Sequence, residues 1–160
     1  MNLLGDQFAV GPLNSDRRHI INVFGSYSFG KERGFHTLNG LNLGLNVHFE
    51  TGLPINKLDP HPVYLNTGEV PVGGRGSQGR TPSYARFDLH SDYSWAITEK
   101  TKLKFIADFF NVFNSQKLRR PDENNALDFV AGVNPPNPDF LKPRVFYPPF
   151  NMRLGLRFEF

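Results

Sequence analysis

The 160-residue chain is predicted to be all-β, an antiparallel meander of about five membrane-crossing strands. Three observations predict this. Five segments alternate apolar and polar residues with the period of two that a strand imposes. Their charges keep to one parity. Short and long connections take turns between them, as in bacterial outer-membrane barrels, which have short periplasmic turns and long outer loops.

Residues 19–29 are the weakest segment. Ile21, Val23, Gly25, Tyr27 and Phe29 oppose Asn22, Ser26 and Ser28, while Ile20 and Phe24 break the pattern. Residues 41–50 set Leu41, Leu43, Leu45, Val47 and Phe49 against Asn42, Gly44, Asn46, His48 and Glu50. Residues 84–95 set Ala85, Phe87, Leu89, Ser91, Tyr93 and Trp95 against Tyr84, Arg86, Asp88, His90, Asp92 and Ser94. In residues 102–112, Leu103, Phe105, Ala107 and Phe109 oppose Lys102, Lys104 and Asp108, with Ile106 and Phe110 out of place. Residues 150–160 alternate without a break. Phe150, Met152, Leu154, Leu156, Phe158 and Phe160 lie on one face, and Asn151, Arg153, Gly155, Arg157 and Glu159 on the other.

The last four segments hold ten formal charges: Glu50, Arg86, Asp88, Asp92, Lys102, Lys104, Asp108, Arg153, Arg157 and Glu159. All ten oppose the apolar parity, which chance would achieve roughly once in a thousand trials. None of the thirteen prolines falls within these segments, as a hydrogen-bonded ladder requires. A soluble sheet hides its apolar face in a core, whereas a barrel turns that face to lipid and keeps the polar face toward a wet lumen. The connections favour the barrel. Residues 30–40 and 96–101 are short links, and 51–83 and 113–149 are long. Two structureless loops beyond ~15 residues are uncommon in a soluble domain. On this reading the long connections are extracellular. Aromatics also collect at the segment ends, with Tyr27, Phe29, Tyr93, Trp95, Phe158 and Phe160 at one level and Phe49, Phe87, Phe109 and Phe150 at the other. Two such girdles suit the two membrane interfaces.

Composition narrows the function classes. Mean hydropathy is −0.40, and no apolar run approaches the ~20 residues of a membrane helix. Lys and Arg number 18 against 15 Asp and Glu, for a net charge of +3, too balanced for a nucleic-acid partner. Cysteine is absent, which excludes disulfides, thiolate metal sites and a cysteine nucleophile. Residues 1–7 lack the basic and apolar regions of a signal peptide, so the expectation is the C-terminal piece of a longer chain.

Several stretches resemble the C-terminal end of TonB-dependent outer-membrane receptors, especially those with an N-terminal carboxypeptidase-regulatory-like domain. They are Asp16-Arg-Arg-His19 leading a strand, Thr51-Gly-Leu-Pro-Ile-Asn56 after one, Gly79-Arg80 followed by Phe87-Asp-Leu89, and Phe110-Asn-Val-Phe-Asn114. The terminal Phe160 is similar too. The likeness covers about residues 14–160. It implies the last five strands of a 22-stranded barrel in the bacterial outer membrane, with the plug domain absent from this chain. It also implies import of a scarce small nutrient. The implied partners are outer-membrane lipid, the rest of the receptor chain, the TonB system acting through the missing N-terminal part, and the barrel-assembly machinery. Phe158 and Phe160 would be the assembly signal.

The lumen-lining candidates are His48, Glu50, Arg86, Asp88, His90, Asp92, Lys104, Asp108, Arg153 and Arg157. The carboxylates among them need cationic partners, for which Arg86, Lys104 and Arg153 are at hand. His48 and His90 are both expected to be lumenal, on adjacent strands where they could be near each other, and read as polar lining because they lack the spacing of a metal motif. Gly74 to Gly79 matches G-x-G-x-x-G, but a strand follows instead of the helix that a phosphate site needs, so a flexible loop tip is expected. No catalytic residue, metal ligand or cofactor is assigned, and no enzyme is expected, because no nucleophile–base pair is visible. The rival readings are a soluble β-sheet ligand-binding module and a strand-donating subunit of a multichain pore. Five strands leave two open edges, so the isolated chain is not expected to be a stable monomer.

Overall fold

Alternation becomes pleat wherever it is long enough. The computed structural model describes residues 10–30, 38–61, 64–127 and 135–160. Residues 1–7, His36 and most of the link 30–40 lie outside them. In chain order the strands are β1 (Ile20–Ser28), β2 (Leu41–Glu50), β3 (Leu58–Asp59), β4 (Val70–Pro71), β5 (Tyr84–Ala96), β6 (Lys102–Phe110), β7 (Leu118–Pro121), β8 (Pro143–Phe146) and β9 (Asn151–Glu159). The five long strands form one sheet in the order β1-β2-β5-β6-β9, the meander expected from the sequence.

Register follows the parity of the residues. Between β5 and β6, Leu89 faces Phe109, His90 faces Asp108 and Ser94 faces Lys104. Between β6 and β9, Phe105 faces Leu156, Asp108 faces Arg153 and Lys102 faces Glu159. Asn42 bonds Asp92 and Asn46 bonds Asp88, so β2 and β5 also run in opposite directions. A slip by one residue would turn every charge to the apolar side.

The sheet reverses the burial order of a soluble protein. Asp88, Asp92 and Asp108 are buried, while Leu154 and Leu156 are 68% and 69% exposed. Leu43, Leu45, Leu89, Trp95, Phe105 and Met152 are exposed on the same face. At about 1.5–3 kcal/mol for each large apolar side chain fully buried, such a face leaves on the order of 10 kcal/mol unrealised in water.

Most residues outside the five-stranded sheet form a second compact unit, made of residues 10–19, Glu50–Tyr84 and Lys117–Tyr147. The long connections are not structureless here. β3 pairs with β4 and β7 with β8, both antiparallel, and this unit holds the buried hydrophobics Leu53, Val70, Tyr84 and Ala126. Strands of two to four residues are too short for periodicity to reveal. Pro71 and Pro121 close β4 and β7, and Pro143 opens β8, positions where a missing N–H is tolerated.

Candidate functional site: a charged strand face and the asparagine clamp beside it

Side chains two apart on a strand share a face, so the polar parity of β2, β5, β6 and β9 gathers into one lattice. Asp108 on β6 accepts from Arg153 Nε and Nη2 at 2.9 and 2.7 Å, and His90 Nδ1 lies 2.5 Å from its other oxygen. His90 Nε2 in turn lies 3.0 Å from Asp92. Asp92 also receives Lys104 Nζ at 2.9 Å and Asn42 Nδ2 at 2.8 Å. Asp88 accepts from Asn46 at 3.2 Å and from the Asn111 backbone N–H at 2.9 Å. Arg86 Nε is 3.0 Å from Asp88 but is not aligned for a hydrogen bond, so that contact is purely Coulombic. A buried carboxylate is costly unless paired, and each of these three carboxylates faces a cation.

Arg86, Lys104 and Arg153 are the cations the sequence offered as partners. The two histidines, open to approach on the sequence alone, stay apart. His48 bonds Asn22 of β1 at 2.6 Å, and a Cβ placed on Gly44 would touch the Cβ of His90 at 3.2 Å. Gly44 is therefore the residue facing His90, and His48 sits four residues further along β2, about 13 Å away at strand rise. The two do not meet, because register and not parity alone sets cross-strand neighbours. Arg157 pairs with Glu159 on its own strand at 3.2 Å, both exposed. Phe158 and Phe160 are exposed, their rings 6.1 Å apart.

Beyond β6 the chain leaves the ladder at Asn111, with φ of +54°, where the sequence had continued the strand to 112. Asparagine tolerates this left-handed conformation better than most residues. Its side chain, 2% exposed, donates to the carbonyls of Ser115 and Pro148 at 3.2 and 2.8 Å and accepts from the Ser115 N–H at 3.0 Å. Asn114, also left-handed at +50°, accepts from the Phe150 N–H at 2.9 Å. Phe113 meets Phe87 edge to face at 4.9 Å. The Phe110–Asn114 stretch is thus a clamp that ends β6 and fixes the start of β9. Asparagine at these two positions was legible as a motif, but not as a hydrogen-bonding device.

The second unit has its own polar contacts. Arg80 pairs with the Asp16 carboxylate and donates to the carbonyls of Asp16 and Gly52 at 3.0 and 2.9 Å. Gly52 is irreplaceable here, since a Cβ would lie 1.6 Å from the Thr81 carbonyl oxygen. Glu50 pairs with Arg17 at 2.9 Å and accepts from the Tyr147 hydroxyl. That hydroxyl accepts from Arg17 Nη2 at 3.0 Å, and its ring stacks on Tyr84 at 3.6 Å. Burial first, and then the hydrogen bond to Glu50, push the Tyr147 hydroxyl above its ordinary pKa. The glycine run also departs from expectation, being tied down by bonds from the Gly76 N–H to Asn56 Oδ1 and from the Ile55 N–H to the Gly79 carbonyl, at 2.7 and 2.8 Å. Its glycines at 74, 76 and 79 take positive φ to make the turns.

No protein-family model matches the chain. Over 123 residues, 77% of its length, it is 32% identical to the TonB-dependent transporter Oar of Myxococcus xanthus. The matched part is 11% of that transporter, so the chain spans about a tenth of the length of this curated relative. No solved structure matches with significance. The identity relates the chain to a TonB-dependent transporter.

Proposed function

We propose that the chain is the C-terminal wall segment of a TonB-dependent outer-membrane receptor, a transporter and not an enzyme. Its five long strands are the last of a 22-stranded barrel. The apolar parity faces lipid, the lattice centred on His90 faces the lumen, and the folded connections face the outside. The parent imports a scarce small nutrient, with energy delivered by the TonB system through a plug that belongs to the rest of the receptor. Phe158 and Phe160 are read by the assembly machinery.

The observation that carries this reading is the reversed burial of the sheet, with buried carboxylates on one side and bare leucines on the other. It supports lipid contact, since an outer-membrane barrel turns such a face to hydrocarbon, and the relationship to a TonB-dependent transporter agrees with it. A soluble module would need a cover for that face, and none exists among the described residues.

The test uses neighbouring positions of β9 in the full-length parent. Leu154→Cys and Gly155→Cys each carry a fluorophore, and Gly155 has room for a side chain. Lipid-borne quenchers should reach the label at 154, and water-soluble quenchers the label at 155. Equal aqueous quenching at both positions would refute the proposed orientation.

A further inference from the structure

The folded connections line an open cleft of about 380 Å³, within the range of small-molecule sites. Its scaffold is fixed by Asn56, 1% exposed. The Asn56 side chain bonds Asn14 at 2.6 Å and takes the Gly76 N–H at 2.7 Å, while its backbone N–H donates to Glu123 at 2.8 Å. Three separate stretches of chain are thereby held around one space.

The lining is donor-rich. Arg75 lines the cleft half-buried, and its guanidinium has no hydrogen bond or ion pair among the described residues. Five N–H donors in a planar fork are therefore uncommitted. Arg120 also lines the cleft, held by the Asn14 carbonyl at 3.0 Å and by only a long 3.6 Å contact to Glu123. The lining carboxylate, Glu69, already takes the Asn66 amide at 2.8 Å. Leu13, Leu58 and Pro71 supply apolar surface.

We propose that this cleft binds a small organic acid, its carboxylate on the Arg75 fork and its apolar body against Leu13, Leu58 and Pro71. The fork fits a carboxylate or a phosphate; the apolar lining selects the organic acid. The inference rests on the receptor reading above and names a ligand class for it.

The test uses the purified full-length receptor in detergent, with N-acetyl-leucine, N-acetyl-leucinamide and inorganic phosphate as probes in calorimetry or saturation-transfer NMR. The acid should bind saturably, and the amide about ten-fold more weakly, as loss of a charge-assisted bond implies. Arg75→Gln should weaken the acid by a similar factor, and Arg75→Lys by less, since it keeps the charge without the fork. Equal binding of acid and amide, phosphate binding as tight as the acid, or an unchanged affinity in Arg75→Gln would overturn the proposal. Heat-modifiability of each variant checks that the barrel has assembled. Thr67→Cys labelled by an impermeant maleimide on intact cells tests placement separately. Labelling without acid binding sinks the ligand alone, while acid binding without labelling sinks the outward placement.

Discussion

Replacing Asn111 separates two physical contributions that the clamp combines. Asn111→Ala removes three side-chain hydrogen bonds, each worth about 1 kcal/mol net in a buried setting. It also puts a Cβ residue without a polar side chain at φ of +54°, which costs roughly a further 1 kcal/mol. The sum is about 4 kcal/mol, with no discount for screening because the side chain is buried. Asn111→Gly loses the same bonds but relieves the backbone, so it should be milder by up to about 1 kcal/mol. Asn111→Asp keeps the acceptor for the Ser115 N–H, loses both donors, and sets a second carboxylate beside Asp88. It should be the worst of the three. Urea unfolding of the full-length receptor in micelles reads the order directly, and at ~2 kcal/mol per molar the alanine variant should shift its midpoint by about 2 M. Alanine and glycine variants both within about 0.5 kcal/mol of the parent would refute the clamp.

Burial should rank the ion pairs. Asp108→Asn weakens a carboxylate contact that is 10% exposed, so it should cost about 2 kcal/mol after allowing for the exposed Arg153. Glu159→Gln, at the exposed pair with Arg157, should cost under about 0.5 kcal/mol, and the same urea series compares them. Gly52→Ala should lower the level of heat-modifiable barrel in the outer membrane, because its methyl overlaps the Thr81 carbonyl. An unchanged level would mean that this turn relaxes freely. Tyr147 should ionise later than ordinary tyrosine, seen as a delayed tyrosinate absorbance that Tyr147→Phe abolishes. The raised pKa makes its stabilising contribution complete below about pH 10 and lost as pH climbs through the folded-state value. A titration identical in parent and variant would contradict the buried Glu50 contact.

Parity was legible because it is local. A strand writes its two faces into consecutive residues, so β2, β5, β6 and β9, the side of every charge and the antiparallel meander follow from reading along the chain. The residue types of the lattice followed too, since carboxylates opposite an apolar face require cations.

The tertiary structure decided who meets whom. His90 bridges Asp92 and Asp108, while His48 turns to Asn22, because cross-strand register selects neighbours that parity leaves open. The short strands of the connections carry too few residues to show a period. Asn56 gathers Asn14, Gly76 and Glu123 across as many as 67 positions. Alternation along one strand records which face a side chain takes; only the folded backbone, through contacts distant in sequence, records what stands opposite it.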